Sequence, residues 1–104
     1  MTQFIYRIVA NRPEMLTQGP TAAEAEVLEA HVEYLEQLAK DGTVLLAGRT
    51  QTTDPGTFGL VILADMEESA ARRVMSSDPA VREMVMDAEL FPYRIAVVSP
   101  AVAP

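Results

Sequence analysis

Residues 3–10 (QFIYRIVA) are rich in β-branched and aromatic side chains, which is the composition of a strand. Residues 11–20 (NRPEMLTQGP) hold two prolines and a glycine and read as a loop. The period then changes. From Thr21 to Asp41, Val27, Leu28, His31, Tyr34, Leu35 and Leu38 recur at the spacing of one helix face. Thr21 with Glu24 three residues on forms a capping box, and Gly42 is a C-terminal stop. Residues 43–50 (TVLLAGRT) read as a second strand, 51–56 as a turn, and 57–64 (TFGLVILA) as a third strand. A second helix is expected over residues 65–75, capped by Asp65 with Glu68 reaching back. Asp78 before Pro79 is placed to cap a short third helix running to about Met86. Residues 89–99 (ELFPYRIAVVS) read as the last strand, with a frayed tail after it.

The order β-α-β-β-α-β predicts an α+β domain of the ferredoxin-like sandwich type, two helices over one face of a four-stranded antiparallel sheet. We take residues 1–98 as one domain and 99–104 as a flexible C-terminal tail. With one face covered, the strands should alternate apolar and polar. They do not. Phe58, Leu60 and Ile62 oppose Val61 and Leu63, and Phe91, Tyr93, Ile95 and Val97 oppose Leu90, Ala96 and Val98. A second apolar face on 104 residues needs a cover, and a homodimer packed through its sheet faces supplies one.

Composition narrows the function classes. The net charge of −7, with eight scattered basic residues, is the wrong sign for nucleic acid. No apolar run reaches the ~20 residues of a membrane span, and the first residues lack a basic, apolar secretory signal. The expected setting is cytoplasmic, with no nucleic acid and no membrane as partner. There is no cysteine, so thiol catalysis and thiolate metal sites are excluded. One histidine among carboxylates makes a poor transition-metal set, and no metal is expected. No phosphate loop, dinucleotide fingerprint or Gly-x-Ser-x-Gly elbow occurs, so no cofactor is expected either.

His31 stands on the apolar stripe where a leucine is expected. An inward imidazole is either a core histidine bonded to a carbonyl or a general acid/base held by a carboxylate. Asp41 lies ten residues along the same helix, about 15 Å away. Asp78 is remote in sequence but can be brought close by the fold, and its other reading is a helix cap. Arg7, Arg49 and Arg94 fall within strands and must find acceptors or water. They are candidates for binding an acidic substrate, Arg7 and Arg94 as a two-pronged grip from neighbouring strands, and otherwise pair with surface carboxylates. The six methionines read as core filler, and Tyr6, Tyr34 and Tyr93 as packing residues able to line a pocket.

The segment from His31 to Gly48 (HVEYLEQLAKDGTVLLAG), the strand after a glycine-containing turn, and Ser77-Asp78-Pro79-Ala80-Val81 together resemble the YciI-like (YCII-related) domain family. The similarity runs from the first strand to about Val98. It implies a dimeric α+β barrel of ferredoxin-like units. It also implies a site built on a first-helix histidine and the aspartate of the Asp-Pro motif, which carry over to His31 and Asp78. Where the family has Gly-Pro, this chain has Gly48-Arg49, which alters the pocket mouth. Two functions follow as expectations. One is a cofactor-independent enzyme using a His31/Asp78 dyad for isomerisation or elimination on a small organic molecule. The other is a non-enzymatic module that binds a small molecule or a partner. A cofactor-free monooxygenase on the same barrel is a weaker third.

Overall fold

Phe4, Tyr6 and Ile8 are buried while the residues between them are half-exposed, so the first strand turns one edge of its pleat into a core. The computed structural model, which describes residues 2–102, builds that core between a sheet and two main helices. The elements are β1 (Thr2–Ala10), α1 (Glu14–Gln18), α2 (Ala22–Lys40), β2 (Val44–Arg49), β3 (Gly59–Met66), α3 (Glu68–Ser77), α4 (Pro79–Arg82) and β4 (Met86–Tyr93). The sheet order is β2-β3-β1-β4 with every neighbouring pair antiparallel, and the fold is a ferredoxin-like α+β sandwich. The core joins Phe4, Tyr6, Ile8, Val44, Val61, Leu63 and Ala71.

Several expectations shift at their edges. The loop after β1 contains the short helix α1, whose Met15 is buried. A bulge in β1–β3 pairing between Thr2 and Phe4 carries β3 on to Met66. The next helix therefore starts at Glu68 behind Glu67, and Asp65 does not cap it. Asp78 does cap α4, but that helix ends at Arg82, because Met84 takes a positive φ of 61° and turns the chain into β4. β4 starts earlier than expected and stops at Tyr93, where its pairing with β1 ends at Gln3. Of the C-terminal tail, Val102 N–H donates to the Ser99 carbonyl, and residues 103 and 104 lie outside the described residues. Met15 is buried core and Met66, Met75 and Met86 pack against the core, whereas Met84 is 72% exposed and fills nothing.

The register sorts the two sheet faces. Under the helices run the rows Ala47–Val61–Tyr6–Leu90 and Arg49–Gly59–Ile8–Ala88. The opposite face carries Leu46–Ile62–Ile5–Phe91 across all four strands, with Gly48–Leu60–Arg7–Glu89 beside it. A bulge in β2 between Val44 and Leu46 decides the position of Arg49. Without it Arg49 would fall on the open face; with it, the guanidinium's strand position belongs to the helix-covered face.

The capping box at Thr21 is present in full, its hydroxyl accepting from Glu24 N–H at 3.1 Å and Glu24 accepting from Thr21 N–H at 2.8 Å. Glu24 also takes both prongs of Arg12, at 2.6 and 3.0 Å, which ties the α1 segment to the first turn of α2. The Arg12 hydrogen bond first, then the Thr21 backbone, pull the Glu24 carboxyl down from 4.5 to about 2. A depressed carboxyl stabilises the fold above its unfolded pKa and loses that contribution as pH falls through the folded one. The melting-temperature gap between wild type and Glu24→Gln should therefore be constant above pH 4.5 and close as pH approaches about 2. Thermal scans across that range, at low and high salt, check it.

Candidate active site

α2 lays Leu28, His31, Tyr34, Leu35 and Leu38 toward the sheet, and His31 is its one buried residue. A polar ring in that place needs a partner. Its Nδ1 lies 2.7 Å from Asp78 Oδ1. Asp78, 0% exposed, sits between α3 and α4 in the extended conformation that a following proline favours. Its Oδ1 also accepts from Ala80 N–H at 2.9 Å, so the same carboxylate caps α4 and holds His31. The cap of α4 and the contact with His31 are compatible, and Asp78 makes both.

Tyr6 completes the cluster. It projects from the middle of β1, fully buried, and its hydroxyl donates to Asp78 Oδ2 at 2.8 Å. Burial first, and the adjacent Asp78 charge second, push the Tyr6 phenol far above its ordinary value, so it stays a protonated donor. Tyr34, raised by burial and Asp78, donates instead to the Val74 carbonyl at 2.7 Å. Asp78 thus receives three hydrogen bonds, which defines it as an acceptor and places the imidazole proton on Nδ1. Nε2 is left as the acceptor. No buried side-chain nitrogen or oxygen among the described residues lacks a partner, so Nε2, which has none in the protein, is open to solvent.

His31 lines a cleft of about 610 Å³ between α2, the α1 segment and the open end of β1, β2 and β3. Ile8, Leu35, Val44, Phe58 and Val61 make most of its wall apolar. Its other ionisable lining groups are Glu36 on α2 and Arg49 on β2. Gly59 lies between Arg49 and Ile8 in the sheet, and a Cβ there would meet Ile8 Cγ1 at 3.0 Å. The missing side chain keeps the floor of the cleft low. Such an arrangement can accept a proton at Nε2 from an apolar-bodied molecule and return it.

Arg49 is thus the one sequence-selected arginine that reaches the cleft. Arg7 lies on the opposite sheet face, its guanidinium stacked 4.9 Å from the Phe58 ring centroid. Arg94 is exposed beyond the end of β4. Arg7 and Arg94 are not cross-strand neighbours: Arg7 pairs in register with Glu89, and Arg94 follows Tyr93, which lies opposite Gln3. Asp41 accepts from Thr43 N–H, and the carboxylate bonded to His31 is Asp78. No cluster of three or more His, Cys, Asp or Glu side chains fit for a metal occurs among the described residues, and none of their helices is long and apolar enough to cross a membrane. From the sequence Tyr6 is a packing residue able to line a pocket, and its hydrogen bond to Asp78 is not foreseen. The available signal was a hydroxyl on the buried edge of β1, which must find an acceptor.

Solved structures share this fold. One is the 5-chloro-2-hydroxyhydroquinone dehydrochlorinase TftG from Burkholderia phenoliruptrix AC1100, in complex with 2,5-dihydroxybenzoquinone. It is 15% identical, with a TM-score of 0.61 over 88% of this chain and 93% of that one. Another, from Bacteriodes thetaiotaomicron VPI-5482, is assigned as an antibiotic biosynthesis monooxygenase. It is 19% identical, with a TM-score of 0.50 over 92% of this chain and 90% of that one. At these identities the likeness concerns the fold. No curated protein matches the sequence. The YCII-related domain, however, matches residues 4–94, and the chain belongs to that family.

Proposed function

We propose that the protein is a cofactor-independent acid/base enzyme acting on a small organic molecule by elimination or isomerisation, with His31 as the proton carrier and Asp78 as its anchor. The supporting observation is the 2.7 Å Nδ1–Asp78 contact, which turns Nε2 into a free acceptor beside an apolar cleft. In the step, Nε2 takes a proton from an acidic C–H or O–H. The electron pair of that bond becomes a C=C or C=O bond, and a leaving group departs with its own pair, or the proton returns at another carbon. No redox partner is required. By its name the dehydrochlorinase with the same fold removes HCl, so chloride release from 5-chloro-2-hydroxyhydroquinone is a reasonable first assay. The general test is solvent-deuterium exchange into acidic positions of phenols and enolisable ketones. Exchange that persists undiminished in His31→Gln overturns the proposal.

Arg49 fits the recognition of an acidic group at the cleft mouth. It is exposed and takes part in none of the ion pairs found among the described residues. Arg49→Ala should raise KM for an anionic substrate about tenfold, the scale of one exposed charge-assisted contact, with kcat little changed. A neutral isostere of the same substrate should be indifferent to the substitution.

The chain is further proposed to form a homodimer through its open sheet face. The row Leu46–Ile62–Ile5–Phe91 puts a large apolar side chain on every strand of that face. Leu46 is 41% and Phe91 39% exposed. Sedimentation at micromolar concentration should give a dimer for wild type and a monomer for Ile62→Glu. A folded, monomeric wild type would remove this part of the reading.

A further inference from the structure

We infer that Tyr6 is a positioning residue that sets the proton affinity of His31 through Asp78. The two groups do not touch; Asp78 lies between them, accepting from Tyr6 on Oδ2 and from His31 on Oδ1. A buried carboxylate divides its charge among the donors it faces. The Tyr6 hydroxyl and Ala80 N–H each draw on that charge at 2.8 and 2.9 Å, which leaves less of it to stabilise an imidazolium. Tyr6 therefore lowers the affinity of Nε2 for a proton and enlarges the fraction of His31 ready to act as a base. It also fixes the Asp78 side chain from the sheet, while Ala80 fixes it from α4, so the carboxylate cannot swing toward the cleft.

The geometry favours this role over packing alone. A tyrosine buried only for its ring can bond any nearby carbonyl, as Tyr34 does with Val74. Tyr6 spends its hydroxyl on the one carboxylate that holds the histidine, 72 residues away in sequence. The charged and titratable groups around the cluster are few. Tyr6 comes from β1, His31 and Tyr34 from α2, and Asp78 from the α3–α4 junction. Glu36 and Arg49 share the cleft with His31. Of these only Tyr6 and His31 donate side-chain hydrogen bonds to Asp78.

This inference rests on the acid/base reading of His31 for its consequence in turnover, but its test does not. His31 is the only histidine, so its ring resonances can be followed by NMR through a pH titration without assignment. Tyr6→Phe should raise the titration midpoint by about half a unit to one unit, by removing a donor from the carboxylate. Tyr34→Phe, whose hydroxyl does not reach Asp78, should leave it in place. Should Tyr6→Phe fail to fold, the intact chain grown with 3-fluorotyrosine gives the opposite sign. The more acidic phenol donates more strongly, and the midpoint should fall. An unmoved midpoint in either sample overturns the inference, even if His31→Gln abolishes exchange. A moved midpoint with no turnover by any variant sustains it and discards the enzyme proposal instead. Where exchange is measurable, its pH profile should shift with the NMR midpoint in Tyr6→Phe.

Discussion

Asp78→Ala is expected to cost the fold roughly 3–5 kcal/mol, the largest stability loss we predict for a polar position. The reason is the number of donors that depend on one side chain. Tyr6 O–H, Ala80 N–H and His31 Nδ1–H all end on its two oxygens, and Asp78 is wholly buried. Each buried donor left without an acceptor costs about 1–3 kcal/mol, and loss of the cap of α4 accounts for about 1 kcal/mol of that. The sum stays below a simple addition, because His31 borders the cleft and can turn to water. Set against a domain stability of about 5–15 kcal/mol, the change is large enough to unfold much of the population on mild heating. Asp78→Asn should cost less, about 1–2 kcal/mol. Its amide oxygen can keep the His31 and Ala80 bonds, while its NH₂ only donates, so the Tyr6 hydroxyl must turn to accept and its own hydrogen loses its acceptor. Urea unfolding of the two variants checks the ranking. An alanine variant within about 1 kcal/mol of wild type would show that the three donors find other acceptors.

Much of the architecture was legible because local rules and burial agree there. Thr21 and Glu24 marked the start of α2, and the stripe through Leu28, Leu35 and Leu38 marked its inner face. The doubly apolar pattern holds in β3, where Leu60 and Ile62 do oppose Val61 and Leu63. Of the apolar residues expected in the last strand, only Leu90, Phe91 and Tyr93 lie in β4, and Ile95, Ala96, Val97 and Val98 fall beyond it. What escaped was anything set by partners distant in sequence. The bulges in β2 and β3 leave no composition signal, yet one turns Arg49 to the cleft side and the other displaces the start of α3 beyond Asp65. The end of β4 follows its pairing with β1, which stops at Gln3–Tyr93, not its own apolar run. For the site, the pairing of His31 with Asp78 came from family resemblance, since 47 intervening residues hide it from any spacing rule. Tyr6 was harder still. It reads as one more β-former in an apolar strand, and only the buried carboxylate opposite it gives the hydroxyl a purpose beyond packing.

His31→Gln should lower proton-transfer turnover about 10²–10⁴-fold while leaving a folded protein that still binds. Glutamine has a reach similar to histidine and can donate an N–H toward Asp78, so the carboxylate keeps a donor where Nδ1 now stands. Tyr6 and Ala80 continue to hold it in place. The stability change should therefore stay within about 1–2 kcal/mol, far from the effect of removing Asp78 itself. What glutamine lacks is a ring nitrogen able to accept a proton, and Nε2 of His31 is such an acceptor at the cleft. The loss should fall on kcat, with KM nearly unchanged, because the ground-state contacts proposed above are those of the cleft walls and Arg49. Arg49→Ala should show the reverse split, and the two variants together separate chemistry from capture. A binding module predicts otherwise. In that case His31→Gln weakens affinity, no substrate is consumed by wild type, and deuterium never enters the ligand. Single-turnover exchange on wild type, His31→Gln and Arg49→Ala with one anionic phenol distinguishes these outcomes, since only an acid/base site yields a variant that binds normally and exchanges slowly.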